Sequence, residues 1–237
     1  MSEISEQAFL NRQSQFWNDI AQNWSLENKN PVVGWYHEHN NFPHYKKQLF
    51  RGFDAPALQQ KKVLEVGCGP GRNMILFNNW FKQLDGCDIA PETIEKAVIN
   101  LTDAGLPIPR LFVMDGKSLP MVEDQSYDIV FMVISHQHIT SRAVRLNLYR
   151  EYHRILTPGG FFCFQTGFGP GHPRSVDYFT EHYQNESEFL DKDVRVESMA
   201  VLQQDLEDCG FKVYPMVVTE TCHDEHPSWI WVQAKKV

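Results

Sequence analysis

The sequence predicts an α/β fold, a mostly parallel sheet with helices on both faces. Three observations lead there. Short apolar runs alternate with amphipathic stretches between residues 63 and 165, the rhythm of strand–helix–strand units. Residues 127–134, Tyr-Asp-Ile-Val-Phe-Met-Val-Ile, are apolar almost without interruption, as a strand covered on both faces must be. Finally, Gly67, Gly69 and Gly71 close the first apolar run where a helical pattern begins, so strand passes into helix through a tight loop.

The elements follow in chain order. Phe9, Phe16, Trp17, Ile20, Ala21 and Trp24 suit one face of a helix over residues 5–24. A polar, aromatic segment with Gly34, Trp35, Tyr36, His37, Glu38 and His39 precedes the first core strand and is expected to form a lid. Its histidines, including His44, stand near no cysteine at metal spacing, so no metal site is expected there.

The first strand ends at Val66, and Met74, Ile75, Leu76, Phe77, Trp80 and Phe81 predict a buried helix after the glycine loop. The first turn of that helix offers N–H groups and partial positive charge, so the anionic or oxygen-rich end of a ligand is expected across the loop. A second strand over 84–89 ends on Asp88 and Ile89. Pro91 then opens a helix with Ile94, Ala97, Val98 and Leu101 along it. A third strand, 111–114, runs into Asp115-Gly116. The fourth, 127–134, leads into Ser135-His136-Gln137-His138.

A helix over 142–156 is expected to stop at Pro158-Gly159-Gly160 and to feed a fifth strand, 161–165. Residues 166–195 read as an irregular loop on the acceptor side. A helix is predicted from about 197 to 209. Strands over 211–218 and 229–234 read as an antiparallel pair closing the chain.

A chain of 237 residues with 42% hydrophobic residues is most economically one domain with a large core. A net charge of −8 argues against a surface built to neutralise nucleic-acid phosphates. The five cysteines, Cys68, Cys87, Cys163, Cys209 and Cys222, contain no C-x-x-C pair and read as reduced thiols. The polar start and the lack of a long apolar run lead to the expectation of a cytoplasmic protein without a signal peptide or membrane span. Nothing in the sequence bears on oligomeric state.

The glycine spacing discriminates among ligands. A dinucleotide fold calls for G-x-G-x-x-G, whereas this chain has Glu65-Val66-Gly67-Cys68-Gly69-Pro70-Gly71. That run resembles motif I, E/D-x-G-x-G-x-G, of the class I S-adenosylmethionine (SAM)-dependent methyltransferases. Arg154-Ile155-Leu156-Thr157-Pro158-Gly159-Gly160 resembles the family's R-x-L-x-P-G-G. The resemblance implies a Rossmann-like seven-stranded sheet with an antiparallel C-terminal hairpin and an N-terminal helical lid. Residues 1–59 would be the lid segment, 60–165 the SAM-binding core, and 166–237 the substrate loop and hairpin.

SAM is the cofactor so implied, held by Glu65, Gly67, Cys68, Gly69, Gly71, Asp88, Ile89, Asp115, Gly116 and Val133. Asp88 would take the ribose hydroxyls, Asp115 and the N–H of Gly116 the adenine, and Val133 the methionyl part. The reaction implied is in-line methyl transfer to an oxygen or nitrogen of a small molecule, with His136 or His138 as candidate general base. Trp35, Tyr36 and His37 are the lid residues expected beside the acceptor, where an aromatic face would stabilise the sulfonium by roughly 0.5–2 kcal/mol. A SAM-binding module without transfer is the alternative, and an NAD-dependent oxidoreductase a weaker one.

Overall fold

A computed structural model describes residues 5–22, 47–170, 175–179, 193–220 and 227–237. The first helix, α1 (Glu6–Gln22), precedes a short turn of helix, α2 (Ala55–Leu58). The core then alternates: β1 (Lys62–Val66), α3 (Arg72–Leu76), β2 (Gln83–Asp88), α4 (Pro91–Asp103), β3 (Leu111–Val113) and β4 (Tyr127–Met132). A 3₁₀ turn (His136–His138) leads to α5 (Arg142–Ile155) and β5 (Leu156–Phe168). After β6 (Ser175–Asp177) and β7 (Asp193–Arg195) come α6 (Met199–Asp208), β8 (Phe211–Val213), β9 (Val217–Glu220) and β10 (Ser228–Lys236).

The main sheet has the order β3-β2-β1-β4-β5-β10-β8, with β9 also paired to β10. Strands β1 to β5 are parallel to their neighbours, and β10 is antiparallel to β5, β8 and β9. The order reverses between β1 and β4, so a crevice opens beyond their carboxyl ends, where open α/β sheets bind ligands. Eight strands occupy seven positions: β8 pairs with Ala234–Lys236, and β9 with Ser228–Trp231, on one side of β10.

Period-2 alternation builds two cores, one on each face. Leu64, Val130, Met132, Phe162, Phe164, Ile230 and Val232 face α5 and α6. Val63, Ile129, Phe131, Cys163, Trp229 and Trp231 face the other way, with Phe50 and Phe77. There, Phe50, Phe77 and Phe131 meet edge to face at 5.6–5.8 Å, a geometry that aligns ring edges with ring faces.

Four expectations change. The helix after the glycine loop spans five residues, Arg72–Leu76, because Asn79 takes φ 64 and breaks it; Phe77 is still buried. β4 ends at Met132, since Ile134 adopts φ 60. Pro158-Gly159-Gly160 does not stop α5. Leu156 is already extended, and β5 starts there. The register jumps from Tyr127↔Leu156 to Ile129↔Phe161, so residues 157–160 bulge beside Asp128, and a Cβ on Gly160 would lie 3.0 Å from the Asp128 carbonyl. Lastly, the region after β5 is not wholly irregular: β6 and β7 form a two-stranded parallel sheet.

Candidate functional site

A cavity opens at the β1/β4 crevice, the place where open α/β sheets bind ligands. Its floor includes Gly67, Cys68, Gly69, Asp88, Ile89, Gly116 and Val133, all expected from sequence. Its roof is α1, through Phe9, Leu10, Gln13 and Trp17.

The glycine loop is shaped by contact more than by hydrogen-bond donors. Gly67 takes φ 69, and a Cβ there would stand 2.5 Å from the Ser135 Cβ, so only glycine lets β1 and the end of β4 come together. The N–H groups of Gly67 and Cys68 both donate to the Cys87 carbonyl, at 2.8 and 3.0 Å, and that of Gly71 to the Cys68 carbonyl at 3.1 Å. These amides tie the loop to β2 and to itself, while its glycines leave room for a ligand. Cys68 and Cys87 are buried free thiols, and burial pushes both well above the ordinary thiol range, so neither is a nucleophile.

Asp88, at the end of β2, is 8% exposed. It accepts the Gly69 N–H at 2.9 Å on one oxygen and the Ala90 N–H at 3.0 Å on the other. Burial raises its carboxyl, and these amides partly offset the rise. Glu65 is fully buried and accepts from Asn73 Nδ2 at 2.6 Å. Burial raises its carboxyl to about 8, against the lowering effect of Asn73 and Arg72.

Asp115 is exposed, and Met114 and Gly116 line the cavity on either side of it. Its carboxylate accepts from the Lys117 and Ser118 N–H groups at 2.9 and 2.6 Å and from the Ser118 hydroxyl at 2.6 Å. Partial burial works to raise this carboxyl, but those donors outweigh it and hold it below its usual range. Asp115 thus holds its own turn and stands just outside the cavity wall. Gly116 is the inward residue, lodged where a Cβ would lie 2.5 Å from Ile89 Cδ1.

The two candidate histidines separate. His136 is 0% exposed and stands outside the cavity wall. It shares a 2.6 Å hydrogen bond with the Tyr149 hydroxyl and stacks on Phe164 at 4.6 Å. Burial, reinforced by Arg145, lowers its pKa well below the usual imidazole range. The general-base expectation for His136 is corrected: it is a neutral packing residue. His138 does line the cavity, beside Trp17 at 4.9 Å between ring centroids. Its Nδ1 lies 2.6 Å from Asp193 of β7, and its buried Nε2 has no hydrogen-bond partner.

Trp35, Tyr36 and His37 lie outside the described residues, as do His39, His44, Cys222, His223 and His226. Among the described residues no group of three or more His, Cys, Asp or Glu side chains could hold a metal, and no helix is long and apolar enough to cross a membrane. Residues that the sequence reading did not assign to the site are Gln13, Asn73, Met114 and Asp193. Gln13 and Asn73 follow helical periodicity into the cavity; no local signal identifies Asp193, which is 55 positions beyond its partner His138.

The ligand can be tested against unsatisfied polar atoms. Gln13 Nε2 and Asn73 Oδ1, both on cavity-lining residues, are buried without partners, as is Glu65 Oε2 behind Asn73. Buried polar groups are costly when unpaired. A ligand with both donors and acceptors and an elongated, partly apolar body meets this demand, and SAM fits it.

The strand order, the antiparallel β10 between β5 and β8, and a glycine loop opening on the β1/β4 crevice are those of a class I SAM-dependent methyltransferase fold. Residues 63–160 match the family described as a methyltransferase domain, and SAM is the cofactor that this match and the fold imply. The ubiquinone biosynthesis O-methyltransferase of Burkholderia pseudomallei (strain 1710b) is 24% identical over 161 residues, 68% of this chain and 61% of that protein. The match thus spans less than two thirds of that relative. A SAM-dependent methyltransferase from Methanosarcina mazei superposes with a TM-score of 0.59 at 19% identity, covering 76% of this chain and 93% of that one. A structure concerned with conversion of a disulfide bond into a thioacetal group during echinomycin biosynthesis superposes with a TM-score of 0.64 at 14% identity, covering 94% and 92%.

Proposed function

We propose that this protein is an enzyme that moves a methyl group from SAM to an oxygen or nitrogen of a small-molecule acceptor by in-line displacement. The observation that carries the reading is the cavity itself, which joins the glycine loop, Asp88 and Gly116 to an apolar wall and a histidine under one helical roof. Asp88 offers its carboxylate to the ribose hydroxyls, since each carboxylate oxygen accepts more than one hydrogen bond. Gly67 and Gly69 line the space for the methionyl end with Cys68 beneath it, and Gly71 lets the loop approach Ala97 of α4. Ile89 and Gly116 flank the adenine on a turn held by Asp115, while Val133 borders the methionyl chain. Glu65 and Asn73 supply polar acceptors behind the loop.

SAM bound there supplies an electrophilic methyl group on a positive sulfur. The chain's own residues align the acceptor and exclude water, and orientation of this kind is worth on the order of 7–11 kcal/mol of a barrier. The apolar faces of Phe9, Leu10, Trp17 and Leu148 favour a small acceptor with a hydrophobic body. The relative named for ubiquinone biosynthesis supports an oxygen acceptor.

The test is calorimetric titration with SAM, followed by S-adenosylhomocysteine formation on a panel of small phenols, alcohols, carboxylates and amines. Micromolar binding with turnover on a panel member is the expected result. Binding without turnover on the panel or on a cell extract supports a SAM-binding module instead, and absence of binding overturns both readings.

A further inference from the structure

We infer that Asp193 and His138 form a proton-accepting dyad at the cavity, and that the acceptor is methylated on a hydroxyl oxygen. The inference rests on the methyl-transfer reading and adds to it a positioning residue and a substrate class. Three observations meet here. First, the Asp193 carboxylate engages both side chains of the 3₁₀ turn that face it: one oxygen lies 2.6 Å from His138 Nδ1, and the other accepts Gln137 Nε2 at 2.9 Å. An ionised carboxylate has no proton to donate, so Nδ1 carries the hydrogen and Nε2 of the neutral ring keeps its lone pair.

Second, that lone pair is unused. His138 Nε2 is buried and unpartnered although its residue lines the cavity. His136 also leaves one ring nitrogen, Nδ1, without a partner, but it stands outside the cavity wall, whereas His138 lies on it. Third, the turn carrying His138 is fixed from below. Buried Arg145 donates to the Ile139 and Thr140 carbonyls at 2.7 and 3.0 Å and also to the Tyr178 carbonyl. Trp17 covers the ring from the roof. The ring is therefore held in one orientation by a carboxylate, a guanidinium-braced turn and an aromatic lid.

This arrangement suits an acceptor that must lose a proton as it is methylated. The acceptor O–H bond breaks and its proton goes to His138 Nε2. The freed oxygen lone pair forms the new O–CH₃ bond, and the S–CH₃ electron pair stays on sulfur as the thioether of S-adenosylhomocysteine. Asp193 balances the imidazolium, which then releases its proton to solvent. General-base assistance of this kind contributes about 10²–10⁴-fold. His138 is the catalytic residue and Asp193 its positioning residue.

Nitrogen-15 NMR of the full-length protein at pH 8 tests the dyad without any acceptor, with the His138→Gln variant assigning the resonance. The expected result is the Nδ1–H tautomer in the wild type and reversion to the ordinary Nε2–H tautomer in Asp193→Ala. An Nε2–H ring in the wild type, or a tautomer indifferent to Asp193→Ala, overturns the inference. SAM titration of both variants separates this from the cofactor reading: affinities within about threefold of wild type are expected, whereas failure of the wild type to bind SAM defeats the methyl-transfer reading and leaves the tautomer result standing. On the acceptor identified by the panel, His138→Gln should lower kcat by at least about 100-fold with KM little changed. Wild-type turnover by that variant, or a productive panel made of amines alone, sinks the inference.

Discussion

Asp88 shows how much one carboxylate can hold together. Its oxygens tie the Gly69 amide to the Ala90 amide and so fix the glycine loop against the start of α4, and their remaining lone pairs suit two ribose hydroxyls. Asparagine is nearly isosteric but sets an amide N–H₂ against one of those backbone donors. Hydrogen bonds to a charged group are worth about 1.5–3 kcal/mol, so Asp88→Asn should weaken SAM binding by roughly 10–100-fold. Calorimetry checks this, and a melt of the ligand-free variant separates lost ribose contacts from a collapsed loop. Ile134 is a second point of residue-scale interest. A β-branched side chain at φ 60 costs on the order of 1–3 kcal/mol, and the Gln165 side-chain Oε1, which accepts the Ile134 N–H at 2.9 Å, helps to hold it there.

At the scale of the element, α1 is the part whose job its own pattern understates. Ser14, Asn18 and Gln22 recur at every fourth residue, which places them on one face. Ser14 donates to the Ile89 carbonyl at 2.8 Å, Asn18 accepts the Glu92 N–H at 3.0 Å, and Gln22 donates to the Glu92 carboxylate at 3.2 Å. Ala90 provides no side-chain cap for α4, so Asn18 caps it from another helix. At its other end α1 is held by Glu6 and Lys117, 2.9 Å apart. Each such hydrogen bond is worth about 0.5–1.5 kcal/mol. The double variant Ser14→Ala with Asn18→Ala should therefore speed amide exchange in α1 by roughly 5- to 100-fold while β1 and β4 keep their protection. Hydrogen-exchange mass spectrometry resolves that difference, and SAM affinity should fall with it because α1 roofs the cavity. Arg154 acts on the same scale: it donates to the Leu119 and Val122 carbonyls at 2.9 and 2.8 Å and pairs with Asp124 and Glu151, pinning the loop between β3 and β4.

Across the whole molecule, Glu65 couples stability to pH. In the unfolded chain it titrates near its ordinary 4.5, and burial in the fold raises it to about 8. Between those values the folded state holds the extra proton, so stability falls as pH rises. The contribution is fully present below about 4.5 and is lost as pH climbs through about 8. Glu65→Gln keeps the acceptor for Asn73 but cannot ionise, so its melting temperature should fall less between pH 5.5 and pH 8.5 than that of the wild type. Thermal melts of both proteins across that range, without ligand, provide the comparison; parallel curves would show that Glu65 is not the titrating group.

The alternation of strands and helices, the glycine loop and Asp88 at its strand end were legible in the sequence because each depends on neighbours within a few positions. Strand burial on both faces shows as an apolar run, and a backbone that must come within 2.5 Å of Ser135 shows as glycine. The difference between His136 and His138 was not legible, since two residues on one short turn differ only in what distant elements bring to them: Tyr149 and Phe164 to one, Asp193 and Trp17 to the other. Likewise, that Asp115 holds its own turn while Gly116 lines the cavity is seen only in the fold. Local pattern by itself determined the sheet and the loop, and the family resemblance of the glycine run supplied the cofactor. Which side chains are left with an unpaired polar atom at the cavity was decided only by tertiary structure, because pairing is a property of what the fold brings within hydrogen-bond reach.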